Sequence, residues 1–202
     1  KVSTYKDFYH KIEKLKKVFE KFIEKLTLAT TKITSGNPVL PGVLVGPVIN
    51  DASTKRIINC VRAAQQTGAK LVVGAAECSS ENVNLITPIV MTNTKPTDLL
   101  ITEEVFGPVV CVEKVDSLEH GIQEINRSRF GLQAALFSDS RQSAELFIRD
   151  VRAGGIVLND IPTARVDHMP YGGIKDSGFG REGLRAAMEE FSDRKLVLTR
   201  II

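Results

Sequence analysis

The sequence has few of the residues that build disulfide frameworks and metal centres. Its three cysteines, Cys60, Cys78 and Cys111, lie far apart and form no CxxC pair. An odd and sparse cysteine count argues against a disulfide-stapled secreted domain and favours a reducing compartment, which we expect to be the cytoplasm. The three histidines show no HExxH-type spacing, so the sequence offers no pattern of metal ligands.

Long apolar runs and broad basic surfaces are also missing. No apolar stretch approaches the roughly 20 residues of a membrane span, and the first residues do not resemble a signal peptide. The net charge is only +3, and residues 1–36 hold nine lysines against four acidic residues. The rest of the chain therefore carries a slight acidic excess. We expect neither nucleic acid nor a membrane as a partner.

The basic residues near the start belong to an amphipathic pattern. Over residues 6–32, apolar side chains recur every three or four positions, at Phe8, Ile12, Leu15, Phe19, Phe22 and Leu26. This spacing predicts one helix with an apolar face. A basic helix of this kind either packs on a domain with its charged face in solvent or binds a membrane or partner groove. Both interpretations stay open at this point.

Beyond a break at residues 35–38, helical and strand patterns alternate. The periodicity predicts helices over about 51–66, 117–131, 139–151 and 182–191. Short β-rich runs predict strands over about 71–73, 86–91, 109–115, 132–137, 156–158 and 195–202, and the first of these strands is expected to be buried. This alternation is typical of an α/β domain with a largely parallel sheet flanked by helices. The apolar terminal run is either an internal strand or a sheet edge that pairs with another molecule.

The helical spacings also predict which side chains face the core. The expected inward residues are Ile57, Ile58, Val61, Ala64, Leu118, Ile122, Ile125, Ala144, Phe147, Ile148 and Val151. Within this pattern Cys60 lies mid-helix and Cys111 mid-strand, so both are expected to be small buried apolar groups. Cys78 has no nearby histidine or helix start to lower its pKa. No cysteine is therefore a convincing nucleophile.

A glycine-rich string, GFGREG at residues 178–183, matches the G-x-G-x-x-G pattern. That pattern binds dinucleotide phosphates when a strand directly precedes it. Here the nearest predicted strand ends about 20 residues upstream, beyond a long loop. We therefore expect these glycines to serve tight turns before a helix.

Two other segments hold candidate functional side chains. EEVFGP at residues 103–108 places two carboxylates beside an aromatic ring and a rigid turn. NDIPTARVDHMPYGG at residues 159–173 is a long loop after a strand, a favoured place for binding. Its Arg165 and His168 could bind an anionic substrate group, or they could cap carbonyls or sit in solvent.

These segments together resemble the C-terminal half of the aldehyde dehydrogenase superfamily. The similar strings are FEKFIEKL, GNPVLPG, VGPVIN, GAKLVVGA, EEVFGPVV, NRSRFGLQAALFS, GGIVLND, MPYGGIKDSGFGREG and KLVL. They cover about nine tenths of the chain in family order. The PTARVDHMPYGG loop is most similar to lactaldehyde and non-phosphorylating glyceraldehyde-3-phosphate dehydrogenases.

The resemblance implies roles for particular residues. Glu104 would hydrogen-bond the nicotinamide ribose of NAD or NADP, and Phe106 would pack beside it. The loop with Arg165 and His168 would shape the entrance for a small aldehyde. The terminal strand would join a neighbouring subunit, so a homo-oligomer is expected. The implied division is a divergent helical segment 1–17, a catalytic-domain-like part 18–194 and an oligomerisation strand 195–202.

The sequence also departs from the family pattern. The family's nucleophilic cysteine lies in a GQxC string before the FEKF-like helix, whereas residues 3–7 read STYKD. The general-base glutamate and cofactor domain would belong upstream. We therefore expect an aldehyde dehydrogenase fragment that is inactive alone and binds its cofactor weakly. The alternatives are a non-catalytic remnant that associates through its helix and terminal strand, or a nucleotide-binding module that retains Glu104.

Overall fold

The computed structural model describes residues 16–78 and 84–201. The start of the predicted first helix, the STYKD string and most of segment 1–17 lie outside these residues. The six helices described are α1 (Lys16–Thr30), α2 (Asp51–Gln66), α3 (Leu99–Thr102), α4 (Leu118–Arg127), α5 (Arg141–Asp150) and α6 (Leu184–Glu190). The described strands are β1 (Thr34–Ser35), β2 (Val43–Val45), β3 (Lys70–Val73), β4 (Ile89–Thr92), β5 (Val109–Val112), β6 (Phe130–Gly131), β7 (Gln133–Leu136), β8 (Gly155–Leu158) and β9 (Ile174–Lys175).

The predicted α/β class is confirmed. In the three-stranded sheet β3-β4-β5, β4 and β5 are parallel while β3 is antiparallel to β4. A second parallel pair joins β7 and β8. Small ladders link β1 to β2 in parallel and β6 to β9 in antiparallel orientation. Helices and parallel strand pairs therefore alternate along the chain, as the sequence pattern indicated.

Local capping explains where the predicted helices begin and end. The Asn50 side chain accepts a hydrogen bond from the Ser53 amide at 2.8 Å and starts α2, which ends before Gly68 at φ +107°. Ser117 and Ser140 cap α4 and α5 in the same way. Such side-chain caps satisfy amides that have no partner within the helix, and each contributes about 1 kcal/mol.

The described residues form two separate apolar cores. The first core packs α2 and α3 on the three-stranded sheet, with Ile57, Val61, Ile89 and Met91 almost fully buried. The second core packs α4 and α5 on β7 and β8, and its buried side chains include Leu118, Ile122, Leu136, Phe147 and Val151. Among the described strands, no ladder joins the two sheets.

Two predictions of orientation need correction. Ile148 was expected to face inward, but 53% of it is exposed. It lies next to Phe147 on α5, and the buried face of this short helix is only wide enough for the 144–147–151 row. Strand β3 was expected to be buried, but three of its four residues are only partly buried because it is a sheet edge.

The structure of the apolar terminal run disagrees with one of the two interpretations made from the sequence. Residues 195–201 pair with no strand of the described chain. Leu196, Leu198 and Ile201 are each more than 90% exposed. The internal-strand interpretation is therefore not observed, and pairing with another molecule stays a prediction.

Candidate functional site

The EEVFGP segment forms a tight turn, the 103–108 turn, between α3 and the start of β5. Phe106 adopts φ +46°, a left-handed conformation that costs a side-chain-bearing residue about 1 kcal/mol or more. Gly107 follows it, and a Cβ on Gly107 would lie 2.6 Å from Cδ1 of the fully buried Ile57. The Pro108 carbonyl accepts a hydrogen bond from the Ile89 amide at 2.8 Å. Helix α2 and strand β4 thus fix the shape of this turn.

The two candidate cofactor residues of the turn differ in how much of their surface is exposed. The Phe106 side chain is 55% exposed, so its ring is accessible to a ligand. Glu104 is partly buried, and its backbone carbonyl accepts a hydrogen bond from Arg56 Nη1 at 3.2 Å. Arg56 lies on α2, so the backbone at Glu104 is tied to the first core. A carboxylate next to an accessible ring is suited to binding sugar hydroxyls and a flat base.

The Arg165 side chain is held in place by other residues of this chain. Its Nη2 lies 3.2 Å from Glu182 Oε2, and its guanidinium lies 4.4 Å from the centre of the Tyr171 ring. The backbones of Tyr171 and Glu182 also pair, with N–O distances of 3.0 and 2.6 Å. Both Arg165 and His168 are exposed at the surface. Arg165 therefore makes an ion pair and a ring contact that the sequence did not predict, and its role toward a substrate remains a prediction.

Residues of the G-x-G-x-x-G string are in close contact with other residues of the same chain. A Cβ on Gly180 would lie 2.6 Å from Glu190 Oε1, and the Arg181 amide donates to the same oxygen at 3.0 Å. Gly183, at φ +109°, is packed against the Met169 carbonyl. A carboxylate at the place where a phosphate would bind repels anions. This geometry agrees with the expectation that the glycines serve close turns.

The two functional segments approach each other through one side chain. Arg129 donates from Nε to Asp176 Oδ2 at 2.8 Å and from Nη1 to Glu103 Oε1 at 3.2 Å. Asp176 lies in the GGIKDSG segment (172–178) at the end of the 159–173 loop and just beyond it, and Glu103 begins the 103–108 turn. This bridge therefore brings the start of the 103–108 turn close to the GGIKDSG segment.

The cysteines differ in burial, and two have raised pKa values. Burial raises the pKa of the Cys60 thiol, although the nearby Arg56 guanidinium opposes the shift. Burial, assisted by the Glu113 carboxylate, raises the pKa of Cys111 to about 12. Cys78 is partly buried and packs against the first core. A thiol with a pKa near 12 is almost fully protonated at neutral pH, and only the thiolate is a good nucleophile.

Sequence reasoning did not find one polar hollow. It has a volume of about 170 Å³ and is lined by Thr94, Pro96, Ile101, Glu113, Lys114, Val115, His120 and Glu124. The sequence signal that could have revealed this hollow is the polar residues directly after β4 and β5. Glu113 Oε1 accepts hydrogen bonds from the Thr94 amide and hydroxyl, both at 2.6 Å. Burial raises the pKa of the Glu113 carboxyl, although these hydrogen bonds act to lower it. Its carboxylate therefore serves the turn after β4.

Other kinds of site find no support in the described residues. Within residues 16–78 and 84–201, no group of three or more potential ligand side chains could hold a metal ion. The Asn126 amide in the sequon-like NRS string donates to the Asp150 carbonyl at 2.8 Å, so it is engaged in the fold.

None of the described helices has both the length and the apolar composition that a membrane span needs.

Comparison with known proteins agrees with this fold and these segments. The aldehyde dehydrogenase family model matches residues 14–197. The 3-sulfolactaldehyde dehydrogenase of Priestia megaterium is 34% identical over 90% of this chain and 37% of its own length. The lactaldehyde dehydrogenase of Methanococcus vannielii is 35% identical over 90% of this chain and 38% of its own length. The chain thus spans well under half the length of these relatives.

Solved structures give the same result. Aldehyde dehydrogenase 21 of Physcomitrella patens, in complex with succinate, superposes with a TM-score of 0.82 and 32% identity. It is covered over 36% of its length, and this chain over 87%. The glyceraldehyde-3-phosphate dehydrogenase of Methanocaldococcus jannaschii, complexed with NADP, gives 0.81 and 31%, with 88% of this chain and 38% of that chain covered. Because both the family model and the fold extend over most of its residues, this chain belongs to the aldehyde dehydrogenase family.

Proposed function

We propose that the chain is the part of an NAD(P)-dependent aldehyde dehydrogenase that provides cofactor contacts and the walls of the substrate entrance. The nucleophilic cysteine, the general base and the cofactor domain belong to another stretch of polypeptide. The observation that carries this proposal is the 103–108 turn, where the strained Phe106 presents an accessible ring two residues after Glu104.

The residues of this turn fit a nicotinamide cofactor. The Glu104 carboxylate would accept hydrogen bonds from ribose hydroxyls, and the Phe106 ring would pack against the adjoining flat group. When bound, the cofactor accepts a hydride from the substrate. The remaining contribution of this chain is orientation, because Arg56 binds the backbone carbonyl of Glu104 and Ile57 packs against Gly107.

We further propose a small aldehyde with an anionic or hydroxylated group as substrate. Arg165 and His168 lie on the loop before PYGG, and a guanidinium binds carboxylate or sulfonate oxygens in a two-pronged fashion. Such a group would compete with Glu182 for Arg165, which is already positioned by Tyr171. The names of the sulfolactaldehyde and lactaldehyde dehydrogenase relatives support this substrate class.

Cofactor binding can be tested on the chain itself by saturation-transfer NMR with NADH, which detects weak complexes. We expect the strongest transfer at protons of the nicotinamide ribose. Glu104→Gln should weaken binding about tenfold, because a hydrogen bond to a charged group is lost. Glu145→Gln, on α5 in an exposed ion pair with Arg141, is the matched control and should bind as the parent does. If Glu104→Gln left the saturation transfer unchanged, the assigned contact between Glu104 and the ribose would be wrong.

Self-association is supported by a separate observation. The exposed apolar side chains of residues 196–201 lie in a segment that pairs with no described strand. We propose that this segment adds to a sheet of a second copy, which would also suit the alternative of a non-catalytic interacting protein. Light scattering should give a dimer or larger assembly. A monomer that binds no hydrophobic dye would contradict this proposal.

A further inference from the structure

The 103–108 turn lies between two elements of the first core, and its first residue, Glu103, contacts Arg129, which follows α4 of the second core. Its preceding helix α3 and its following strand β5 belong to the first core. Among the described strands, no ladder connects that core to the sheet of the second core. Side-chain contacts near this turn can therefore contribute to the relative placement of the two cores.

Arg129 makes such a contact. It follows α4, which is part of the second core. Its guanidinium binds Asp176 through Nε and Glu103 through Nη1, and it lies 4.9 Å from the centre of the Phe130 ring. The planar guanidinium can reach two carboxylates at once with fixed geometry, which a lysine ammonium cannot reproduce.

The Asp176 side of this bridge is firmly anchored. The Asp176 amide donates to the Arg129 carbonyl at 3.0 Å, so the two residues are joined through their backbones as well. Lys175 donates to the carbonyls of Asn126 and Ser128 at 3.1 and 2.9 Å. These bonds fix the GGIKDSG segment to the end of α4. Arg129 and Asp176 therefore act as one rigid unit.

At its other end, the Arg129 bridge holds Glu103, which is part of the 103–108 turn. Glu103 is the first residue of the turn, and its side chain has 48% of its surface exposed. The next residue, Glu104, has its carbonyl held by Arg56 from the first core. The turn is thus restrained by one arginine from each core, on two consecutive residues.

We propose that Arg129 is a positioning residue that orients the 103–108 turn, and with it Glu104 and Phe106, relative to the loop that carries Asp176. The functional meaning of this orientation rests on the proposed function, while the restraint itself does not. Because all three side chains are about half exposed, salt should screen the ion pairs. The restraint is therefore expected to be moderate and to weaken with ionic strength.

Backbone ¹⁵N relaxation of the isolated chain tests the restraint directly. In the parent at low salt, the amides of Val105, Phe106 and Gly107 should have order parameters near the rigid value of about 0.85. Arg129→Gln and Glu103→Gln should each lower them by a moderate amount, because α2 and β4 still hold the turn, and the double variant should go no lower, because both remove the same contact. Arg129→Lys should recover only part of the loss. Adding salt should shift the parent toward the Arg129→Gln values.

The matched control is Arg141→Gln, which breaks an exposed ion pair with Glu145 on α5 and should leave the turn unchanged. Unaltered order parameters in Arg129→Gln would overturn the proposal. An equal loss of order across β4 and β7 would also overturn it, because that would indicate general destabilisation. NADH titration of the same samples separates the two proposals. If the turn loosens as expected but the parent binds no NADH, the positioning role stands and the cofactor role of the turn fails.

Discussion

Purified alone, the 202-residue chain is expected to form no NADH from NAD and any of a panel of small aldehydes. Family chemistry needs a thiolate that attacks the aldehyde carbonyl. Burial keeps Cys111 protonated, with a pKa of about 12, and raises the pKa of Cys60. Absorbance at the NADH band should show turnover at least about 10⁴-fold below a typical enzymatic kcat of about 10 s⁻¹.

The pH dependence gives this first prediction a control. Between pH 7 and 9 the thiolate fraction of Cys111 rises about a hundredfold but stays near one part in a thousand, because its pKa lies about three units higher. Cys111 should therefore contribute no detectable activity across this range. If turnover appears, single Cys→Ser variants at Cys60, Cys78 and Cys111 would identify the thiol responsible. Loss of turnover in one of them would contradict our assignment of the nucleophile to another segment.

Gly154→Ala is expected to destabilise the fold strongly. A Cβ at this position would overlap the carbonyl oxygen of Gly172 and lie 2.8 Å from its carbonyl carbon. Both are backbone atoms of the PYGG loop, so they cannot move aside as a flexible side chain would. We expect the free energy of unfolding in urea to fall by about 2–3 kcal/mol, the upper part of the range typical of overpacking, because the overlap is with backbone atoms.

The matched control for this substitution is Gly36→Ala. The nearest atom to its added Cβ is Val43 Cγ2 at 3.9 Å, an ordinary contact. Its free energy of unfolding should change by no more than about 0.5 kcal/mol. A Gly154→Ala variant as stable as Gly36→Ala would mean that the PYGG loop yields easily, and the loop could then not anchor Asp176 and Arg129 as described.

Much of the secondary structure could be predicted because it depends on local chemistry. The bounds of α2 follow from the Asn50 cap and the stop at Gly68, and both signals lie within a few residues of the helix ends. The two-residue ladder of β6 and β9 could not be predicted in this way. It pairs Phe130 with Lys175, which are distant in sequence, and neither strand is long enough to show periodicity.

The candidate site shows the same division. Glu104 and Phe106 were identified from a recognisable string, and the structure adds the positive φ of Phe106 and the Arg56 bond. The partners of Arg165 and Arg129 were not predicted. Each depends on where the chain brings a distant carboxylate, and a surface arginine looks the same in sequence with or without such a partner.

The central claim is that this chain supplies the cofactor contacts and pocket walls of an aldehyde dehydrogenase whose thiolate lies on another segment. A chimera tests it most directly: residues 14–197 of this chain replace the matching segment of the Priestia megaterium relative, which keeps its own upstream part. We predict aldehyde-dependent NADH formation by the chimera, reduced by Glu104→Gln. A chimera that folds and binds NAD, yet oxidises no aldehyde tested, would contradict the account.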